Sequence, residues 1–304
     1  MPVMDIQRSL MFVPGNSEKM LTKALGLDNL DVAMFDLEDG VPPSHKDNAR
    51  ELVATMLGRP KGGPMRFVRL NAIGTDRIEA DLQSVIVPGL EGVVLPKVER
   101  AEEVQLVDKI LTEREPIAGL EPGTVKIIAA IESARGLLSA PAVAAASPRM
   151  MGLMFGAEDY GLDIGLSTHR QGEARELIYA RSAIVVASAS AHIQAMDGVW
   201  PEFKDLEGLT QDSIQARRLG FTGKSTFHPG QIDIINEIFS PSQEDVDFAR
   251  RVVAAFEEAQ AAGSGSVALG GQLIDLPIVE RARRVLKLRE SLGAQKDAPT
   301  DAQV

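Results

Sequence analysis

Hydrophobic positions along this chain fall into short unbroken runs, several of which end abruptly in acidic residues. Residues 125–131 (Val-Lys-Ile-Ile-Ala-Ala-Ile) run straight into Glu132. Residues 150–155 (Met-Met-Gly-Leu-Met-Phe) pass through Gly156 and Ala157 into Glu158 and Asp159. Apolar runs this short, without alternation, predict strands covered on both faces, as in a parallel sheet. Residues 133–146, between them, are rich in Ala and Leu and predict a helix. The unit is therefore strand–helix–strand, with both acidic ends at the same edge of the sheet. That edge is where α/β enzymes carry their chemistry.

The same pattern recurs along the chain. Further strands are expected at residues 9–15, 32–39, 66–71, 92–97, 195–200 and, more weakly, 221–228. Helices are expected after Asn16 or Ser17, which could cap, and over residues 44–57, 172–191 and 210–219, the last stopped by Gly220. Eight strands separated by helical patterns predict a (β/α)8 TIM barrel over residues 1–240. A doubly wound sheet is the competing fold, but the turn after the first strand, Phe12-Val-Pro-Gly-Asn-Ser17, lacks its G-x-G-x-x-G phosphate loop. Residues 241–304 predict a C-terminal helical extension. It comprises a helix over 241–262 capped by Ser242, a flexible connector at 263–271, a basic amphipathic helix over 276–292 and a polar tail. This extension looks too small for a core of its own, and is expected to pack on the barrel or on a neighbouring subunit.

Composition narrows the class. The 304 residues are 44% apolar and 25% charged, as in an ordinary globular protein. No apolar run approaches the roughly 18 residues of a membrane span, and the N-terminus lacks a signal-peptide layout. With no cysteine, disulfides, thiolate nucleophiles and Cys-ligated zinc are excluded, and a cytoplasmic home is the simplest reading. A net charge of −11 argues against a general nucleic-acid binder. An anionic substrate would then need local basic groups.

The expected strand ends deliver Asp36, Glu38, Asp39, Arg69, Asn71, Lys97, Glu132, Glu158, Asp159, Asp197 and His228 to one rim. Asp197 and His228 are read as caps of the elements that follow. Glu132 and Asp159 end adjacent strands, and two carboxylates that close call for a cation or a proton between them. Hard oxygen donors favour Mg²⁺ or Mn²⁺, with water and substrate completing the shell; the competing reading is a salt bridge from Glu132 to Arg135 or to a neighbouring strand. Arg69 suits bidentate capture of a carboxylate, or else a structural pair with Asp36 or Glu38. Lys97 could form a Schiff base, although an ion pair is preferred. Lys19 and Lys23, at i and i+4 on the first helix, could bind phosphate or simply line a solvated face.

Several of these segments carry a resemblance. Arg8-Ser-Leu-Met-Phe-Val-Pro-Gly-Asn16, Phe35-Asp-Leu-Glu-Asp-Gly-Val41, Val68-Arg-Leu-Asn71, Leu95-Pro-Lys-Val98, Ile131-Glu-Ser-Ala-Arg-Gly136 and Phe155-Gly-Ala-Glu-Asp159 resemble the citrate lyase β-subunit-like family. So do Gly223-Lys224, His228-Pro229 and Gly271-Gln-Leu-Ile-Asp-Leu-Pro277. That family groups with the malyl-CoA and citramalyl-CoA lyases in the HpcH/HpaI aldolase superfamily. The match runs in order from Arg8 to about Leu286.

The resemblance implies a (β/α)8 barrel with Mg²⁺ on Glu132 and Asp159. It implies Arg69 holding a small oxoacid or hydroxyacid, and Phe12, Lys19 and Lys23 at positions that contact coenzyme A. Asp275 would reach a neighbour's active site as acid/base, which requires a homo-oligomer such as a trimer or hexamer. The expected reaction is reversible Claisen-type cleavage of an acyl-CoA thioester (malyl-CoA, methylmalyl-CoA or citramalyl-CoA). Its products would be glyoxylate or pyruvate and acetyl-CoA or propionyl-CoA. The alternatives are a citrate lyase β subunit acting on citryl-acyl-carrier protein, a malyl-CoA thioesterase, and a catalytically silent binding protein.

Overall fold

The computed structural model describes residues 7–167 and 174–297. Residues 7–236 form one compact unit, in which eight parallel strands close into a barrel in sequence order. The elements run β1 (Ser9–Pro14), α1 (Glu18–Leu25), β2 (Val32–Asp36), α2 (Lys46–Leu57), β3 (Met65–Arg69), α3 (Ile78–Val85) and β4 (Gly92–Leu95). They continue with α4 (Ala101–Arg114), β5 (Lys126–Ile131), α5 (Ala134–Ala144), β6 (Met150–Phe155), α6 (Ala157–Asp163) and α7 (Ile178–Ser190). β7 (Gln194–Asp197), α8 (Leu206–Leu219), β8 (Gly223–Thr226) and α9 (Ile232–Ile238) follow. The expected TIM barrel is the observed fold.

Boundaries differ from expectation where side chains capture the backbone. Asp36 ends β2 by accepting the amides of Glu38 and Gly40, both at 2.8 Å, which turns residues 37–39 out of the strand. Asp205 accepts from Gly208 N, so α8 starts four residues before the expected Thr210. The helix expected from residue 172 begins at Ile178 after a short 3₁₀ turn, Arg175–Leu177; residues 172 and 173 lie outside the described residues. Ser17, rather than Asn16, caps α1.

Leu10, Val32, Met34, Phe67, Val94, Ile128, Ala130, Met154 and Met196 pack as one buried cluster. On β2 and β5 the members are two residues apart, so the cluster is the inward face of the barrel, where alternate side chains point. Continuing that alternation by one step reaches Phe12, Asp36, Arg69, Glu132 and Gly156. The polar site is thus the top layer of the barrel interior, at the carboxyl ends of the strands.

Residues 237–297 belong to a second unit. It holds α10 (Gln243–Ala261), β9 (Val267–Leu269), β10 (Gln272–Ile274) and α11 (Leu276–Asp297). A capping box, Ser242 with Asp245, starts α10. Residues 263–271, expected as a flexible connector, instead include β9 and the turn of a hairpin. β9 pairs antiparallel with β10 through Gly270 and Gly271, whose φ values of 59° and 82° suit a tight two-residue turn. The unit also has an apolar core, contrary to expectation. Ala249, Val252, Phe256, Ile274, Val279 and Ala282 bury against one another, because the hairpin covers what two helices alone would leave open. The last helix runs to Asp297, into the segment expected as a tail, and residues 298–304 lie outside the described residues. No helix among the described residues is long and apolar enough to cross a membrane.

Candidate active site

Backbone hydrogen bonds lock the strand ends that carry the site. Gly15 N binds Asp36 O, Leu37 N binds Arg69 O, Leu70 N binds Val94 O, Val98 N binds Ala130 O and Gly156 N binds Ile131 O, all within 3.1 Å. Asp36 faces Arg69 in the β2–β3 register. Arg69 Nε and Nη2 donate to the two Asp36 oxygens at 2.8 and 2.7 Å, and Nη1 lies 3.1 Å from Glu38 Oε2. The structural pair weighed in the sequence is therefore present. Of the five guanidinium hydrogens, one on each Nη is left for a ligand. The half-buried Phe12 ring lies 4.4 Å from the guanidinium carbon and 5.4 Å from the Phe227 ring. Burial opposes the charge of Arg69, but Asp36, with Glu38 and Glu132, holds it firmly protonated.

Lys97 adopts φ 54°, a left-handed conformation that costs a non-glycine residue about 1 kcal/mol or more. Its Nζ reaches Glu38 Oε1 at 2.7 Å and Asp39 Oδ2 at 3.1 Å. Burial works against its charge, yet those two carboxylates raise its pKa above the ordinary lysine range. That is the ion-pair reading; a Schiff base needs the neutral amine. Burial raises the pKa of Glu38 despite Arg69 and Lys97 beside it.

Glu132 is 7% exposed, and its carboxylate has no hydrogen bond or ion pair among the described residues. Arg135, its possible partner, lies instead 3.7 Å from Glu99. Burial, then the charges of Glu38 and Asp159, push the Glu132 carboxyl up to about 8, against the pull of Arg69 and Lys97. Asp159 is half-buried in the first turn of α6, not on the strand end itself. Gly156 makes room for the Glu132 carboxyl: a Cβ there would stand 2.4 Å from Glu132 Cγ and 2.9 Å from Cδ. Among the described residues no three His, Cys, Asp or Glu side chains cluster tightly enough to hold a metal alone. Two electrostatically coupled carboxylates, one buried without a partner, are a donor set that fits a hard divalent cation completed by water and substrate.

The remaining candidates are placed as follows. Lys19 and Lys23 are exposed on α1, four residues apart. Asp275, in the second unit, caps α11, with Oδ1 accepting from Ile278 N at 3.4 Å. His228 is a cap: its Nδ1 accepts from Gly230 N. Asp197 is not. It is fully buried on the outer face of β7, 2.5 Å from Lys224 Nζ and 2.8 Å from Arg181 Nη2, with Asp212 completing the cluster. The signal for this quartet was Lys224, a lone cation inside an otherwise buried strand.

A closed parallel barrel whose rim brings together an anchored guanidinium, Glu132 and Asp159 is the arrangement of an α/β enzyme site. Residues 8–229 match the family described as HpcH/HpaI aldolase/citrate lyase, and the chain belongs to that family. It is 39% identical over 284 residues to the citrate lyase subunit beta of Leuconostoc mesenteroides subsp. cremoris, covering 93% of each chain. It is 35% identical to the mitochondrial citramalyl-CoA lyase of Homo sapiens, covering 94% of this chain and 86% of that one. Among solved structures, protein CitE from Mycobacterium tuberculosis in complex with magnesium, acetoacetate and coenzyme A superposes with a TM-score of 0.76 at 30% identity. That match covers 94% of this chain and 98% of the other. The protein is an enzyme, a lyase of the citrate lyase β/CoA lyase type.

Proposed function

We propose that this enzyme cleaves a 3-hydroxy-3-carboxyacyl-CoA thioester: malyl-CoA, methylmalyl-CoA or citramalyl-CoA. The products are an oxoacid, glyoxylate or pyruvate, and acetyl-CoA or propionyl-CoA, by reversible Claisen-type chemistry. The observation that carries this reading is Glu132, a buried carboxyl raised to about 8, electrostatically coupled to both Asp159 and Arg69. Glu132 and Asp159 hold Mg²⁺, with Mn²⁺ as a substitute of the same oxygen preference. When bound, the ion supplies Lewis-acid polarisation of the substrate's carboxylate and hydroxyl oxygens.

The other steps fall to the chain's own groups. Arg69 turns its two remaining N–H groups to the oxoacid's oxygens, and because Asp36 already fixes its plane, little reorganisation is needed. Phe12 covers that guanidinium. Lys19 and Lys23 bind the coenzyme A phosphates from α1. As the C–C bond breaks, the substrate hydroxyl gives up its proton to solvent and becomes the oxoacid carbonyl, while Asp275 of an adjacent subunit delivers a proton to the enolate carbon; in condensation both transfers reverse. The enzyme is accordingly a homo-oligomer, a trimer or hexamer. The second reading, a citrate lyase β subunit acting on citryl-acyl-carrier protein, is favoured by the Leuconostoc relative at 39% identity.

The test is cleavage of malyl-CoA and citramalyl-CoA with Mg²⁺ and with EDTA, trapping the oxoacid as a phenylhydrazone. Release that requires the metal supports the proposal and identifies the substrate. Free malate without glyoxylate would move the reading to a thioesterase. No product from either ester would favour the carrier-dependent subunit. In Asp275→Asn, which keeps a capping oxygen for α11, cleavage at the wild-type rate would rule Asp275 out as the acid/base.

A further inference from the structure

Lys46, the first residue of α2, is buried behind the site at 9% exposure. Lysine usually buries only its stem and keeps the ammonium in water. Here the ammonium donates to Leu37 O at 2.6 Å, Glu38 O at 2.6 Å and Asn71 Oδ1 at 2.8 Å. All three of its hydrogens are spent on neutral oxygens, and no carboxylate pairs with it among the described residues. Burial lowers its pKa, while the charges of Asp36, Glu38, Asp39 and Asp81 oppose that fall.

The three acceptors come from two different loops. Leu37 and Glu38 follow β2, and Glu38 is the residue whose carboxylate meets both Arg69 and Lys97. Asn71 lies two residues beyond Arg69 after β3. It is held from the far side, its N and Nδ2 donating to Asp81 Oδ2 at 2.9 and 2.6 Å. Asp81 Oδ1 in turn accepts from Arg50 Nε at 2.9 Å. The chain Arg50–Asp81–Asn71–Lys46 thus ends on the backbone of the loop that carries the carboxylates around Arg69.

We propose that Lys46 is a positioning residue that clamps the loop after β2 to the loop after β3, and so sets where Glu38 meets Arg69. An amide could serve at most two of the three acceptors, and an apolar side chain none. Without the clamp, residues 37 and 38 keep the Leu37 N–Arg69 O bond and the Glu38–Arg69 pair but lose the bridge from their carbonyls to Asn71. The orientation of Arg69 toward an oxoacid then loosens, whereas α1, with Lys19 and Lys23, is untouched. The link to oxoacid binding rests on the proposed function; the clamp itself does not.

The experiment uses Lys46→Met in the full chain, with hydrogen exchange by peptide and calorimetric titration of pyruvate and, separately, of coenzyme A in the presence of Mg²⁺. Peptides covering residues 36–42 should exchange at least about tenfold faster while those of β5 and β6 are unchanged. Pyruvate affinity should fall by about tenfold or more, as expected for a binding group displaced by an ångström or so, and coenzyme A affinity by less than about twofold. Unchanged loop exchange, a uniform rise across the barrel, or faster loop exchange with wild-type pyruvate affinity would each overturn the proposal. Lys46→Gln, which keeps one donor pair, replaces Lys46→Met if the latter does not fold. A wild-type protein that binds no pyruvate would sink the proposed function, and the loop exchange alone would then decide on the clamp.

Discussion

A single methyl group at Gly156 should separate metal binding from folding. Gly156 has φ −97° and ψ 84°, which any residue can adopt, so alanine imposes no backbone strain. Its Cβ, however, would stand 2.4 Å from Glu132 Cγ, where ordinary contact begins at 3.4 Å, so the Glu132 side chain must retreat by about 1 Å. Glu132 is buried, so a retreat of that size displaces its carboxyl within the site. Overpacking of this size costs about 1–3 kcal/mol of stability. A 1 Å displacement of a catalytic group costs about a hundredfold in rate. Gly156→Ala should therefore fold, with a modest drop in its urea midpoint, yet lose about a hundredfold in kcat and most of its Mg²⁺ affinity by calorimetry. Wild-type Mg²⁺ affinity in a folded Gly156→Ala protein would refute the placement of the ion on Glu132.

Three further outcomes follow from the same geometry. The raised pKa of Glu132, about 8 in the fold against 4.5 in the open chain, means the native state binds the extra proton between those values. Stability without divalent ions should thus fall as pH rises from about 5 to 8, and Mg²⁺ should raise Tm more at pH 8 than at pH 5.5. Asp36→Asn removes the anionic half of a buried bidentate pair with Arg69. It should cost about 3 kcal/mol in urea unfolding and about ten- to a hundredfold in kcat/KM for the oxoacid in condensation. Lys224→Met strands Asp197 and Asp212 with Arg181 alone. It should destabilise by about 3–5 kcal/mol while turnover per folded molecule, measured after active-site titration, stays near wild type.

The barrel was legible because its strands are buried on both faces and so read as unbroken apolar runs. Their ends were less so. Residues 37–39 continue the run of β2, and only the capture of two amides by Asp36 shows where the strand stops. The rim residues could be named from position, but their grouping could not. Asp36 and Asp197 both end strands, yet Asp36 continues the inward alternation of Met34 and Asp197 takes the outward place next to Met196. One joins the site and the other a structural quartet. Lys46 gave no signal, since one lysine at the start of a polar helix resembles any other. The hairpin did give one: Gly270-Gly271 lies between Val-Ala-Leu and Gln-Leu-Ile, a turn between strand-forming runs that glycine and serine content had suggested was a linker.

The charge around the site explains why these residues occur together. Asp36, Glu38, Asp39, Glu132 and Asp159 bring five carboxylates to one rim, against three cations, Arg69, Lys97 and Lys46. Each cation already has partners. Arg69 is spent mainly on Asp36, Lys97 on Glu38 and Asp39, and Lys46 on backbone and amide oxygens. Among the described residues, Glu132 and Asp159 are the carboxylates of this group with no paired cation, and full ionisation leaves two negative charges uncompensated there. Without metal the excess is relieved at its most buried member, where Glu132 holds a proton up to about pH 8. A divalent cation cancels the same two charges, and does so at the two carboxylates the cations do not reach. Net charge, burial and the space over Gly156 therefore converge on one place in the barrel, and Arg69 is already anchored beside it with two hydrogens to offer.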